Sequence, residues 1–562
     1  MGRTHHPPPP PYAGVLKYCR LSGEKPSVVL CAAVLLLTGA GLRLLYLGEI
    51  PAGLYMDEAS VGYEAWSLLH YGITRNGYTW PVNLVAWGCG QSALYSYLSI
   101  PIIAAFDLTV WSTRLLMAVT GTASLLVFWR IAARDQPAFG LLALLLLTFC
   151  PWHLMLSRWA LECNLLPFVV LLAVYCLTRP DNDRLGIQAA GVFVLSLSVY
   201  AYTAAYFFAP VFLALVFGWL RVQGKLPLRH VVLLSTLSLL TVLPILLSLA
   251  INFFDWEAIR AGISIPKFPG EARYEQISTV FFGGPGRFRR NLVEAPLYVV
   301  KLLTMTDPDV HTLYFNKMSH FAVLFPFAIV PLAVGFGATL YRAVKLRDVG
   351  VPLLMALWLI AAFVNASITL VNISRINVVW VPAVYFTALG VFYACYRWRA
   401  VLTLAVVAYL IYGGWFVQTY FTQYNNNDRG VIDIYTFHDL QPAIASVVEH
   451  ADPNDKIYVT KLVLDAYMLT LFHTKTPPQD YLNTRIIADP HVPYQYITAF
   501  GRFMFTPERI NEADHLILIA DPRQPHSSSF ALLPGEKAVL DTATMARCAR
   551  ERHGHFVVLH CA

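Results

Sequence analysis

Long apolar runs dominate the chain, and short clusters of basic residues separate them. The runs fall near residues 28–47, 91–106, 112–131, 137–151, 162–178, 186–202, 203–220, 230–251, 319–341, 350–368, 374–394 and 400–419. A helix needs about 20 apolar residues to cross a hydrocarbon core of about 30 Å. The pattern therefore predicts a polytopic α-helical membrane protein. Basic turns at Arg130/Arg134, Arg179/Arg184, Arg221/Lys225/Arg229, Arg342/Lys345/Arg347 and Arg397/Arg399 belong on the cytoplasmic side. They cannot all share the side of the N-terminus if 91–106 crosses. That run, "SALYSYLSIPIIAAF", is short, rich in Tyr and Ser, and broken by Pro101. It reads as an interfacial helix.

Eleven spans then remain, with the N-terminus inside and the C-terminus outside. Residues 1–27 form a cytoplasmic lead into an uncleaved first helix, since no cleavage pattern precedes the apolar run. Residues 28–420 form the membrane domain. The outer side carries the 48–111 loop, the 152–161 turn, the 252–318 loop and everything after about 420. In the 421–562 tail the pattern changes. "DKIYVT", "HLILIA" and "HFVVLHCA" read as short buried strands, and "HDLQPAIASVVEHA" as an amphipathic helix capped by His438 or Asp439. A small extracytoplasmic α/β domain is expected there.

Composition agrees with this partition. Of 562 residues, 57% are hydrophobic, 14% aromatic and 13% charged, with a net charge of +7. A soluble domain carries about 25% charged residues. The basic residues collect in short loops, as membrane insertion favours, so nucleic acid is not an expected partner. Nine Cys show no metal-binding spacing. Cys548 and Cys561 flank the last strand; in an oxidising compartment they could bridge, or remain two free thiols.

Acids beside a bilayer are costly and mark candidate sites. "MDEASVGYEAW" places Asp57 and Glu58 where the first span meets the outer interface, with Glu64 about two turns further on a similar helical face. Asp57 and Glu58 are the candidate catalytic acids; a helix N-terminus favouring acids would also explain them. "PWHLMLSRWALECNLLP" packs His153, Arg158, Glu162 and Asn164 into the second outer turn. Arg158 and Glu162 stand i,i+4, which suits either an ion pair or a cation for a lipid phosphate with a carboxylate beside it. Arg375 opens the tenth span, and Arg43 lies near the outer end of the first. Guanidinium forks suit phosphate; snorkelling is the simpler role for Arg43. In the 252–318 loop His311 is a further candidate substrate contact, and the Asp307/Asp309/His311 grouping resembles a metal-ligand set only faintly. Tyr63, Trp66, Tyr78, Trp80 and Trp87 suit sugar stacking or interfacial anchoring equally. No phosphate-binding loop or dinucleotide glycine pattern occurs in a fitting context. No cofactor is expected, and an activated sugar would arrive on a lipid.

The order of these segments resembles the GT-C superfamily of membrane glycosyltransferases. It is most similar to the bacterial branch related to protein O-mannosyltransferases and lipid A aminoarabinose transferases. The carriers are "MDEASVGYEAWSLLHYG", "QSALYSYLSIP" then "WSTRLL", "LSRWALECNLLP", "LSVYAYTAAYFFAPVFLAL", "LLTMTDPDVHTLYF", "SRINVVWVPAVYFTALG" and "YFTQYNNN", over residues 28–450. The resemblance implies a GT-C core with interfacial helices in the first outer loop and a polyprenyl-phosphate-linked sugar as donor. The acceptor would be an envelope glycan, lipid or protein, and the setting the bacterial inner membrane. It also implies Asp57 as the base, Glu58 as its neighbour, and Glu162 as the acid of the second outer turn. "KMSHFAVLFPF" departs from the Gly-rich sequence of relatives, so no role passes to Lys317 or His320. A transporter or flippase of lipid-linked sugars is the alternative. It would share the apolar core and phosphate-binding cations but would not need the acidic pair. A binding or assembly protein working through its tail is a third reading.

Overall fold

Every predicted span falls on a helix in the computed structural model. The structure describes residues 26–134, 136–270, 284–304, 318, 320–395, 398–424, 436–490, 492, 494–520, 530–539 and 548–561. The first span is α1 (Pro26–Leu44). The outer loop after it holds α2 (Met56–Tyr71), a short hairpin β1 (Asn83–Leu84) and β2 (Gln91–Ser92), and α3 (Leu94–Phe106). At 13 residues, α3 rises about 20 Å, too little to span. It lies against α2 and the next helix, with Ser96 Oγ donating to Val61 O and Tyr95 OH to Thr113 O.

There follow α4 (Val110–Ala132), α5 (Pro137–Thr148), a single-turn α6 (Pro151–Leu156), α7 (Glu162–Leu177), α8 (Leu185–Ala201), α9 (Ala205–Val222) and α10 (Leu228–Phe253). The second long outer loop contains hairpin β3 (Ile259–Ala261) and β4 (Ile263–Ile265), then α11 (Gly284–Thr304). The remaining membrane helices are α12 (Ile329–Lys345), α13 (Val351–Ile368), α14 (Trp380–Cys395) and α15 (Arg399–Gln423). Among the described residues, seven helices are long and apolar enough to cross a membrane. This is a multi-pass membrane protein.

Small residues set the helix spacing. A Cβ on Gly390 would stand 1.8 Å from Pro331 O, and one on Gly335 would stand 2.3 Å from Phe386 O. Backbone therefore meets backbone between α12 and α14, the close packing that membrane helices use without a hydrophobic drive. Asn291 of α11 donates to the carbonyls of Ala366, Ser367 and Thr369, filling acceptors that the end of α13 leaves open.

Beyond the last membrane helix the chain builds a mixed sheet. Its elements are α16 (Leu440–His450), β5 (Ile457–Val459), α17 (Ala466–Thr474), α18 (Pro478–Thr484), β6 (Ile486–Ile487), β7 (Ile497–Phe500), β8 (Phe503–Met504), β9 (His515–Ala520), β10 (Phe530–Ala531), α19 (Pro534–Val539), β11 (Ala549–His553) and β12 (Phe556–His560). The sheet order is β11-β12-β9-β5-β8-β7-β6, with β10 also paired to β9. Only β5 runs parallel to its neighbours β8 and β9. The three predicted strands are β5, β9 and β12. Asp439 sits at the N-cap of α16 but makes no capping bond; its Oδ2 accepts from His555 N, tying the helix to the β11–β12 turn. Cys548 and Cys561 form a disulfide across that hairpin.

The sheet unit and the first outer loop share one apolar core, in which Leu54, Tyr63, Trp66 and Trp87 meet Phe437, Tyr467, Phe472 and Phe500. Burying each such side chain contributes about 1.5–3 kcal/mol. Gly62 is the close point: a Cβ there would stand 2.7 Å from Thr113 Oγ1 and 2.9 Å from the Phe472 ring. Tyr63 OH donates to Thr476 O, and Gln495 N to Trp87 O.

Candidate active site

The helix that carries the acidic pair begins after Tyr55, and its first turn separates the two acids. Glu58 occupies the third helical position and reaches back to accept from Tyr55 N at 3.2 Å. Its other acceptor sites are filled as well. Arg114 donates from Nε to Oε1 and from Nη2 to Oε2, each at 2.8 Å, and Ala160 N donates to Oε1 at 2.8 Å. Arg114 goes on to the carbonyls of Pro51 and Gly53. Both side chains are fully buried. The sequence offers Glu58 as a catalytic acid or as the neighbour that supports the base. It joins the starts of α2 and α4 to the second outer turn, a buried bidentate pair whose hydrogen bonds are all made.

Asp57, one residue earlier, is turned about 100° away and is half-buried. It lies within electrostatic reach of Asp465 and Tyr494 of the C-terminal unit. Glu64, expected to touch substrate, pairs with Arg75: Oε1 is 2.9 Å from Nη1, and Oε2 accepts from Arg75 N at 3.1 Å. The pair pins the turn after α2. Arg75 Nη1 also donates to Ser60 Oγ, which donates to Gln91 Oε1, each at 2.8 Å.

Gln91 leads to a cavity between the β1–β2 hairpin and the facing ends of α9 and α10, lined by Asn83, Gln91, Thr203, Tyr206, Ser248 and Phe268. Asn83 Nδ2 donates to Ser248 Oγ at 3.2 Å. Among the described residues Asn83 Oδ1, Gln91 Nε2 and Thr203 Oγ1 find no hydrogen-bond partner, although all three side chains are more than nine-tenths buried. Buried polar atoms are seldom left so without water or a ligand to meet them. The next residue, Ser92, donates its backbone N–H to Glu162 Oε2 at the first position of α7. One short strand thus connects the helix of Asp57 to Glu162.

Arg158, expected to bind lipid phosphate, turns to the end of α1. Nε and Nη2 donate to Ile50 O, Nη1 to Leu42 O and Nη2 to Tyr46 O, at 2.7 to 3.1 Å, while its guanidinium lies 5.0 Å from the Phe421 ring centre. A cation on the terminal carbonyls of a helix complements its dipole. Those donors are not available to a phosphate. Arg43 does not snorkel: it is fully buried and approaches His153 Nδ1 at 2.7 Å.

Arg375 keeps more freedom. It is half-buried, and among the described residues its guanidinium makes one hydrogen bond, to Leu370 O at 3.3 Å. Two residues on, Asn377 Nδ2 reaches Cys163 O and Asn164 Oδ1, so the Arg375 segment lies against the start of α7 beside Glu162. His311 lies outside the described residues, as do Asp307 and Asp309. Among the described residues no three His, Cys, Asp or Glu side chains gather as a metal nest. The sequence reading missed Arg114, although a lone Arg inside an apolar span at the depth of an acid signals a buried partner. It also missed Asn83, Gln91, Asp465 and Tyr494; nothing local distinguishes them.

The helical membrane core, the interfacial helices after the first span and the outer sheet unit together make up a GT-C fold, which recurs among solved structures. Among solved structures, ArnT from Cupriavidus metallidurans in the apo state matches with a TM-score of 0.53 and 13% identity, over 95% of this chain and 97% of that one. The same protein bound to undecaprenyl phosphate matches with a TM-score of 0.54, at the same identity and coverage. The apo oligosaccharyltransferase of Archaeoglobus fulgidus matches with a TM-score of 0.49 and 13% identity, over 80% of this chain and 64% of that one. The likeness is one of fold. No protein-family model matches the sequence, and no curated protein matches it significantly.

Proposed function

We propose that this protein transfers a sugar from a polyprenyl-phosphate-linked donor to an extracytoplasmic acceptor, with Asp57 as general base and no cofactor beyond the donor. The observation that carries the proposal is the division of the acidic pair. Glu58 is locked onto Arg114, while Asp57 stays half-buried at the start of α2, which Ser60 and Gln91 connect to the polar cavity. ArnT, which shares the fold, binds undecaprenyl phosphate.

In the proposed reaction the acceptor oxygen attacks the anomeric carbon as Asp57 takes its proton. The bond from that carbon to the phosphate oxygen breaks, and its electron pair leaves with the polyprenyl phosphate. Arg375 stabilises the departing phosphate, and Glu162 positions the acceptor side. One displacement inverts the anomeric centre. By the distribution of basic turns, the N-terminus is cytoplasmic and the site and sheet unit face outward; the resemblance to envelope transferases supports the bacterial inner membrane as the setting.

The test is transfer by the purified protein in proteoliposomes, offered a panel of radiolabelled polyprenyl-phosphate sugars. The proposal expects a labelled acceptor and free polyprenyl phosphate from at least one donor. Movement of intact donor across the bilayer without cleavage would favour a flippase and contradict it.

A further inference from the structure

Helix α10 is longer than a bilayer core requires. Its 26 residues rise about 39 Å, against a hydrocarbon thickness of about 30 Å, so its last turns leave the hydrocarbon. Exposed Leu239, Leu243, Leu246 and Leu247 mark its lipid-facing stripe. At helical spacing the stripe continues through Phe253 and Phe254, which are exposed as well. The helix then ends in a Schellman turn: Asp255 takes φ 57°, and Trp256 N donates back to Ile251 O at 2.9 Å. Asp tolerates this left-handed position, and its Oδ1 meets Lys267 Nζ at 2.9 Å. The Trp256 ring stacks on Phe254, with centroids 5.3 Å apart and planes 24° from parallel, and Phe253 meets Phe254 edge-on at 5.0 Å. Trp256 is 54% exposed; Ile259 and Ile263, on the β3–β4 hairpin beyond it, are exposed too.

From Ser264 the segment turns inward and is buried. Ser264 N donates to Thr79 O, and Ser264 O accepts from Val82 N. Asn252 holds the far end: Nδ2 donates to Pro266 O, and Oδ1 accepts from Phe268 N at 2.6 Å. Phe268 and Ser248 line the polar cavity. One segment thus carries an exposed aromatic ledge at one end and a wall of the cavity at the other. A contiguous exposed apolar surface marks an interaction face. We propose that Phe253, Phe254, Trp256, Ile259 and Ile263 dock on the bilayer itself, in the head-group layer at the outer end of α10, and so tether the cavity wall to the membrane surface. Lipid is the partner because the ledge prolongs a stripe that already faces lipid and begins where the helix leaves the hydrocarbon. That depth is also where Trp is enriched.

The experiment is photo-crosslinking of the full chain in nanodiscs of phosphatidylethanolamine and phosphatidylglycerol. The photoreactive residue p-benzoylphenylalanine is placed singly at Trp256, at Ile263, at exposed Leu240 within the span, and at exposed Asn483 on the sheet unit. Intact mass after irradiation reads covalent phospholipid. The inference expects adducts at Trp256 and Ile263 in yields within about twofold of Leu240, as an interfacial aromatic face requires, and none at Asn483. Adducts at Leu240 alone would overturn it. So would a cross-linked dimer in place of a lipid adduct at Trp256, which would make the ledge a contact between copies of the chain. Should the protein altered at Trp256 not fold, Ile263 at the hairpin tip carries the same test. The readout needs no sugar donor, so failure of the transfer proposal and failure of this inference are separate results.

Discussion

Neighbouring acids meet different fates because a helix turns each residue about 100° from the last. Glu58 meets Arg114 and two further donors, Tyr55 N and Ala160 N, while Asp57 stays half-buried. Glu58→Gln should therefore act on stability, since it leaves Arg114 buried against a neutral amide. Breaking such a pair costs about 3–5 kcal/mol, and a large fall in the unfolding midpoint in detergent would register it. Arg158→Gln should likewise lower the midpoint by stripping the carbonyls of Leu42, Tyr46 and Ile50 of their donors, while undecaprenyl phosphate binding stays within twofold of wild type. A tenfold weaker affinity with an unchanged midpoint would restore Arg158 to the phosphate site. At this scale the sequence identifies acids and cations at the outer interface but not their partners. The Arg114 pairing spans 56 residues, and spacing along a helix reveals only i,i+3 and i,i+4 neighbours.

Elements were more legible than contacts, because hydropathy reports burial in lipid directly. Even so, the apolar run near 319–341 forms a helix only from Ile329 to Lys345. Pro326 disfavours helix just before itself, and Arg342 holds the C-terminal turn through Asp348, with Nη2 to Oδ2 at 2.6 Å. Residues 374–379, at the start of the predicted tenth span, form a turn and a short 3-10 segment, because Asn377 bridges Trp152 and Cys163 there. The docking of α17 on α2 was not legible, since a glycine mid-helix says only that something approaches. Gly62→Leu tests that contact. Its side chain must displace Phe472 or Thr113, an overpacking worth about 1–3 kcal/mol, read as a lower unfolding midpoint. Gly186→Leu, where a Cβ meets open space, should leave the midpoint nearly unchanged.

For the whole molecule, charge asymmetry along the chain and the shared core of outer loop and sheet unit must agree on sidedness. A cysteine at exposed Asn483 should react with a membrane-impermeant maleimide in intact spheroplasts, and one at exposed Arg221 only after permeabilisation. The reverse labelling would place the acidic pair in the cytosol and remove the lipid-linked donor from the account. The positive-inside pattern and the strand signals made this architecture readable in outline. The polar cavity was not, because it is assembled from segments as far apart as Asn83, Thr203 and Phe268.

The most direct measurement is sugar transfer by Asp57→Asn in proteoliposomes, beside its unfolding midpoint and its affinity for undecaprenyl phosphate. Loss of a general base removes about 10²–10⁴-fold in rate. The account predicts a loss of that size with midpoint and lipid affinity preserved. An Asp57→Asn protein that keeps most of the wild-type turnover would contradict it.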